Sequence, residues 1–227
     1  MYWSDSQSDE SVTIPDDVVD AVFAISCRCL PVDHAHALRQ ALLAALPWLA
    51  EEQEAGIHPI HGAESGNGWM RPDRPEDLLY LSRRTKLTLR LPKHRIEDVA
   101  RLSGVTLDIA GHALVVAAST VRALSPITTI FARYVALDAG ADEEAFLAAA
   151  MAQLHGLGIK PKKMLCGIEK SIATPDGNVR TRSLMVADLS MEESIRLQQH
   201  GLGPLRQLGC GLFIPHKDID EVRRAQS

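Results

Sequence analysis

Nine histidines stand in this 227-residue chain, and two of them, His34 and His36, fall where a helix is expected to begin. Histidine exchanges its proton near neutral pH, so it can serve as general base or general acid. Asp33 can cap a helix in which Leu38, Leu42, Leu46 and Leu49 recur at helical spacing, with Pro47 kinking or ending it. The first turn of a helix attracts phosphate through its unbonded N–H groups and its dipole, and the same dipole favours the neutral imidazole that a base requires. His34 is therefore the first candidate base and His36, facing elsewhere on the helix, the second. The competing reading for His34 is a capping or surface histidine. His58 and His61, in GIHPIHG, could approach the same site from an adjoining strand, but a structural role suits them better.

A second candidate is the segment HGLGPLRQLGCGLFIP, which places Gly201, Gly203, Gly209 and Gly211 between an expected helix and an expected strand. Glycines at such spacing permit positive φ, let a backbone approach a ligand closely and can offer N–H groups to phosphate. A helix C-cap at Gly201 followed by a loose turn would account for one or two of the four. The order helix, loop, strand excludes the dinucleotide and P-loop readings, which need a strand before the glycines and a helix after them. No Gly-Lys-Ser/Thr, HExxH, CxxC or GxSxG occurs, so neither a metal site, a bound cofactor nor a serine nucleophile is expected.

Charge gives a mixed signal. The net charge of −5 argues mildly against a nucleic-acid partner, yet the cations are clustered. The stretch Leu79 to Leu91 reads as one strand of period two, with leucines on one face and Tyr80, Arg84, Lys86 and Arg90 on the other; Arg83 lies beside them. An aromatic among cations suits base stacking and phosphate contact, although a solvated strand face would carry the same residues. Arg180 and Arg182, next to a Pro-Asp-Gly-Asn turn, could lie along an RNA stem, or belong to a solvated hairpin.

These groups need a scaffold. Val18 to Leu30 is expected as a strand ended by Pro31, with Cys27 and Cys29 on one face. Arg95 to Ser103 reads as a short helix stopped by Gly104, and Thr106 to Leu124 as a hairpin around Gly111. After Ser125-Pro126 the order repeats: a strand over Ile127 to Leu137, a helix over Asp142 to Leu157, two strands around Pro175-Asp176-Gly177-Asn178, a helix opened by the capping box Ser190-Met-Glu-Glu193, and a last strand over Leu208 to Pro215. The fold class is thus α+β, two tandem ferredoxin-like (βαββαβ, RRM-like) domains with a C-terminal glycine-rich loop. The expected division is a disordered acidic tail over residues 1–16 and domains over 17–124 and 127–224. The glycine- and proline-rich connection after His61 is long enough to be functional or mobile. With 46% hydrophobic and 23% charged residues, the composition is that of a soluble globular protein. No uninterrupted apolar run of about eighteen residues occurs, so no membrane span is expected, and four cysteines without a framework spacing point to the cytoplasm.

The segments LPVDHAHAL, GIHPIHG, YLSRRTKLTLRLP and GCGLFIPHK, with a glycine-rich loop before the last strand of a tandem ferredoxin-like chain, resemble the RAMP superfamily of CRISPR-associated proteins. Within it, the chain is similar to the repeat-processing endoribonucleases that cut precursor CRISPR RNA, especially those of the MYXAN subtype. The resemblance implies metal-independent cleavage within each repeat, leaving 5′-hydroxyl and 2′,3′-cyclic phosphate ends. It implies a precursor CRISPR RNA repeat folded as a stem-loop as partner, retention of the product guide RNA, and association with other subunits of an interference complex. The catalytic histidine of such proteins commonly lies near the first helix, which again favours His34 and then His36, with the glycine-rich loop holding RNA rather than cutting it. Two rivals stay open: a non-catalytic RNA-binding RAMP subunit, and an unrelated ferredoxin-like enzyme or small-ligand regulator.

Overall fold

The computed structural model describes residues 15–61, 77–137 and 142–216. The expected tail, apart from Pro15 and Asp16, lies outside these residues, as do most of the connection after His61 and everything beyond residue 216.

The first sheet is built from β1 (Val18–Ser26), β3 (Gly56–His58), β5 (Lys86–Pro92), β6 (Thr106–Ile109) and β7 (His112–Ala123), all antiparallel, in the order β3-β5-β1-β7-β6. Alternation sets which side is buried. Ala21, Phe23 and Ile25 of β1 and Leu87, Leu89 and Leu91 of β5 share a core with Leu38 and Leu42 of α1 (Ala35–Ala45) and Val99 of α2 (Ile96–Ala100). Phe23 lies opposite Leu87 and is fully buried. The β6–β7 hairpin turns on Ala110 and Gly111, both with positive φ, the backbone that matches the right-handed twist of paired strands.

The second sheet contains β8 (Ile130–Val135), β9 (Lys163–Thr174), β10 (Gly177–Ala187) and β11 (Phe213–Pro215) in the order β11-β8-β10-β9. One face carries α3 (Glu143–Gly156) and α4 (Met191–His200), which bury Phe146, Ala150, Leu154 and Leu197 against Ile130, Ala132, Leu184 and Val186. Both helices begin on side-chain caps. Asp142 accepts the Ala145 N–H at 2.9 Å, and Ser190 with Glu193 forms the expected capping box. In each sheet the first and third strands of a βαββαβ unit are central, so the ferredoxin-like arrangement occurs twice.

Four local expectations are corrected. The strand read over Val18 to Leu30 breaks after Ser26, and that read over Leu79 to Leu91 breaks after Tyr80. The detached pieces, β2 (Cys29–Pro31) and β4 (Leu78–Tyr80), pair with each other as a separate two-stranded arm, with Cys29 opposite Tyr80. Cys27 consequently does not share a strand with Cys29. Asp33 does not cap α1; its carboxylate accepts the Ala173 N–H of β9 at 2.7 Å. The last strand is shorter than expected because residues 206–208 form a 3-10 turn.

The two units are joined by a buried polar latch. Arg90, 1% exposed, donates to both carboxylate oxygens of Asp20 at 2.8 and 3.0 Å and, from Nη1, to the backbone carbonyls of Gln198 and Phe213 at 3.0 and 2.7 Å. Burial raises the Asp20 carboxyl, but the charge and hydrogen bonds of Arg90 outweigh it and hold the group below the usual carboxylate value. His58 Nε2 stands 3.9 Å from Asp20 Oδ1. Burial first, then the positive charge of Arg90, push this imidazole down to about 4 from 6.5, against the pull of Asp20. As pH falls below 6.5 the unfolded chain takes up a proton that the folded chain refuses, so the contribution of His58 to stability falls until about pH 4 and then levels off. The loss is on the order of 3 kcal/mol. Urea titrations of the wild type and His58→Gln across that window are expected to diverge by this amount; parallel pH profiles would remove His58 from the latch.

Candidate active site and nucleic-acid interface

A cleft of about 660 Å³ opens between α1, the β9–β10 turn and the loop before β11, and His36, Arg39, Gln53, Asp176, Arg206 and Gln207 are among its lining residues. The phase of α1 decides which histidine reaches it. Ala35, Leu38 and Leu42 face the core, and His34 continues that stripe backwards at the i, i+4 spacing. His34 is accordingly 2% exposed. Its Nδ1 lies 2.8 Å from the Pro31 carbonyl, while Nε2 accepts the Ile60 N–H at 3.0 Å. The Ile60 bond makes Nε2 the acceptor and so places the ring proton on Nδ1. His34 therefore pins β2 to the segment after β3, and it is not placed to meet a substrate. His36 and Arg39, half-buried and one turn apart on the outer face of α1, both border the cleft.

Arg206 also lines the cleft, but it is 9% exposed and its guanidinium is turned into the protein. Its Nε donates to the Glu54 carbonyl at 3.2 Å and its Nη2 to the Gln199 carbonyl at 2.9 Å, while Nη1 has no hydrogen-bond partner. Burial, and then the positive charge of Arg90, bring its pKa down to about 10, which still leaves it cationic at neutral pH.

The glycine-rich loop is corrected in role. All four glycines have φ between 68 and 84°, but their N–H groups are already donated within the protein. Gly201 donates to the Leu197 carbonyl, Gly203 to Gln153 Oε1, Gly209 to the Arg206 carbonyl and Gly211 to the Tyr134 carbonyl. A Cβ on Gly209 would strike Pro59, and one on Gly211 would strike the carbonyl of Leu202. The close approach that demands glycine is thus of chain to chain, not of chain to phosphate. Of the four, Gly203 borders the cleft.

The expected cationic face divides. Tyr80, 62% exposed, with Arg83 and Arg84 in the turn that follows, belongs to the β2–β4 arm, and Lys86 is exposed at the start of β5. Arg90 is removed from the set: it lies on the same strand as Lys86, but the second unit covers its end of the sheet. Arg180 and Arg182 lie with Phe146 of α3, on the helix-bearing side of the second sheet, and Arg180 makes two bonds to Glu169 at 3.1 and 3.2 Å. Arg182 donates to the Gly167 carbonyl at 3.0 Å. Sequence reasoning missed Arg39, Asp176, Arg206 and Gln207; only Arg39 carried a signal, its i+3 spacing from His36. Among the described residues no three His, Cys, Asp or Glu side chains converge as a metal cluster would, and no helix is long and apolar enough to cross a membrane.

This architecture has known counterparts. A family model described as Cas6 Crispr matches residues 19–218. The CRISPR-associated endonuclease Cas6 of Myxococcus xanthus (strain DK1622) is 34% identical over 197 residues, spanning 87% of this chain and 81% of that protein. A solved structure described as CRISPR associated protein Cas6 superposes with a TM-score of 0.60 at 11% identity, covering 88% of this chain and 100% of its own. A Cas6-related protein of Pyrococcus furiosus gives 0.59 at 13% identity, covering 88% and 99%. At such identities the two structures speak for the fold, while the family match and the Myxococcus relative speak for descent. The chain belongs to the Cas6 family of CRISPR-associated endonucleases.

Proposed function

We propose that this endoribonuclease cuts precursor CRISPR RNA within its repeats, without a metal ion, and that His36 is the general base. The observation that carries the reading is His36 and Arg39 side by side on one face of α1, both bordering the cleft. Repeat RNA enters the cleft with a scissile phosphate beside these groups. His36 removes the proton of the 2′-hydroxyl, whose oxygen attacks the adjacent phosphorus. Arg39 opposes the negative charge that accumulates on the phosphorane. The bond to the 5′-oxygen then breaks; that oxygen takes up a proton, leaving a 5′-hydroxyl on one fragment and a 2′,3′-cyclic phosphate on the other. Tyr80, Arg83, Arg84 and Lys86 on and beside the arm are assigned to the flanking stem-loop, where phosphate contact needs only exposed cations.

The test is incubation of the full chain with its cognate repeat RNA in excess EDTA. A single cut is expected, and the upstream fragment should carry a cyclic phosphate that acid treatment opens. A cut that requires added magnesium would overturn the metal-independent reading. RNA bound tightly and left intact would instead favour a non-catalytic subunit that coats guide RNA.

A further inference from the structure

Among the described residues, three that are not glycine have positive φ: Ala110, Asp188 and Leu205. Ala110 turns the β6–β7 hairpin, and aspartate tolerates the left-handed region. Neither reason covers Leu205, at φ 69° and ψ 35°. That backbone strains any residue with a Cβ, whereas glycine, used at Gly201, Gly203, Gly209 and Gly211 of the same loop, adopts it freely. The leucine side chain does not offset the strain by filling a core. It is 41% exposed, while Leu202 and Leu208 of the same loop are buried.

The conformation is nevertheless firmly held. The Leu205 carbonyl accepts the N–H groups of Leu208 at 2.8 Å and Cys210 at 3.2 Å. Arg206, the next residue, is fastened to the Glu54 and Gln199 carbonyls, and Gln207 to the Leu49 carbonyl. This anchoring leaves an exposed apolar tip, Pro204 and Leu205, on the border of the cleft that His36 and Arg39 share, with Val179 also lining it. A residue that breaks a local rule without serving the core points to a role in function. The chemistry of the cleft supplies one. Attack by a 2′-hydroxyl needs its oxygen in line with the P–O5′ bond that breaks. In a stacked strand the oxygen lies to one side of that line, so the two nucleotides at the cut have to splay apart. An apolar side chain pressed against a base step unstacks it, and one already held rigid loses little freedom in doing so.

We infer that Leu205 is a positioning residue for the cut: with Pro204 and Val179 it holds one flanking base out of its stack, so that the 2′-oxygen comes into line with the scissile bond. The inference rests on the reading of the chain as an enzyme that cuts repeat RNA by 2′-hydroxyl attack. For its test, the full chain is mixed with repeat RNA made 2′-deoxy at the mapped cut, carrying 2-aminopurine at each nucleotide flanking the cut in turn. This base brightens when it leaves its stack. Wild type is expected to raise the fluorescence at one of the two positions, and Leu205→Gly, bound to the same extent, is not. On cleavable RNA at saturating protein, Leu205→Gly is expected to cut roughly 10–100-fold more slowly. Its melting temperature should be no lower than that of wild type, because glycine relieves the backbone. Leu205→Met keeps an apolar side chain and should keep the rate. On RNA whose ribose at the brightening position carries no base there is nothing to unstack, and Leu205→Gly and wild type should cut equally fast. Equal fluorescence, or equal rates on intact RNA, overturns the inference. So does an equal slowing on intact and abasic RNA, which would give Leu205 to the fold alone. In each of these cases wild type still cuts. Wild type that leaves repeat RNA uncut would instead remove the proposed function together with this role.

Discussion

Replacing His36 by alanine is expected to slow repeat cleavage by about 10²–10⁴-fold while the chain stays folded and still binds RNA. That is the usual range for loss of one acid–base group. The side chain is half-buried at the rim of the cleft, and the helix face it leaves does not belong to the core. His34→Ala is expected to behave differently, although it lies only two residues away. It strips a donor from the Pro31 carbonyl and an acceptor from the buried Ile60 N–H, each orphaned group costing about 1–3 kcal/mol. Its defect should therefore appear in thermal unfolding, with single-turnover cleavage preserved at temperatures where the variant is folded. Single-turnover rates on a labelled repeat, paired with melting curves, separate the two. Full activity in His36→Ala would end the assignment of the base.

The second large effect is expected at Arg90. Arg90→Ala leaves the Asp20 carboxylate unpaired beside buried surface and deprives the carbonyls of Gln198 and Phe213 of their donor. Breaking a buried ion pair from one side costs about 3–5 kcal/mol, which for a chain of this size lowers the melting temperature by roughly 10 °C. Replacing both partners together, Asp20→Val with Arg90→Leu, should recover much of that loss, because the penalty lies in the uncompensated charge rather than in the missing pair. A scanning-calorimetry cycle over the two singles and the double decides it. An Arg90→Ala variant as stable as wild type would mean that the two units are held together by other contacts.

The repeated βαββαβ order was legible because local chemistry and global fold agree at its joints. Gly111 turns one hairpin, Pro175-Asp176 the other, and Ser190 with Glu193 opens α4 as the capping box requires. The breaks after Ser26 and Tyr80 were hidden. Apolar alternation continues through the first, whereas at the second Arg83 and Thr85 interrupt it, and the pairing of the two detached pieces into an arm explains why each strand leaves its sheet. Arg90 was misread for a related reason: an even-numbered cation on an amphipathic strand looks solvated until a second unit lies on it. His34 could have been read correctly. Leu38 and Leu42 define a stripe that runs back through position 34, so the same periodicity that located the helix also assigned His34 to its buried side and His36 to the open one.

The loop before β11 also bears on how the chain is made. Gly209 lies against Pro59, Arg206 donates to the Glu54 carbonyl, Gln207 donates to the Leu49 carbonyl, and the Phe213 carbonyl receives Arg90. Groups in the first unit thus find their partners among residues synthesised much later. During synthesis the first sheet can collapse on its own core as soon as β7 has emerged from the ribosome, since domains generally fold as units. Its polar underside, with Asp20, His58 and Arg90, must wait in water until the final strand leaves the exit tunnel. Among the described elements, the one translated last is the one that closes the molecule.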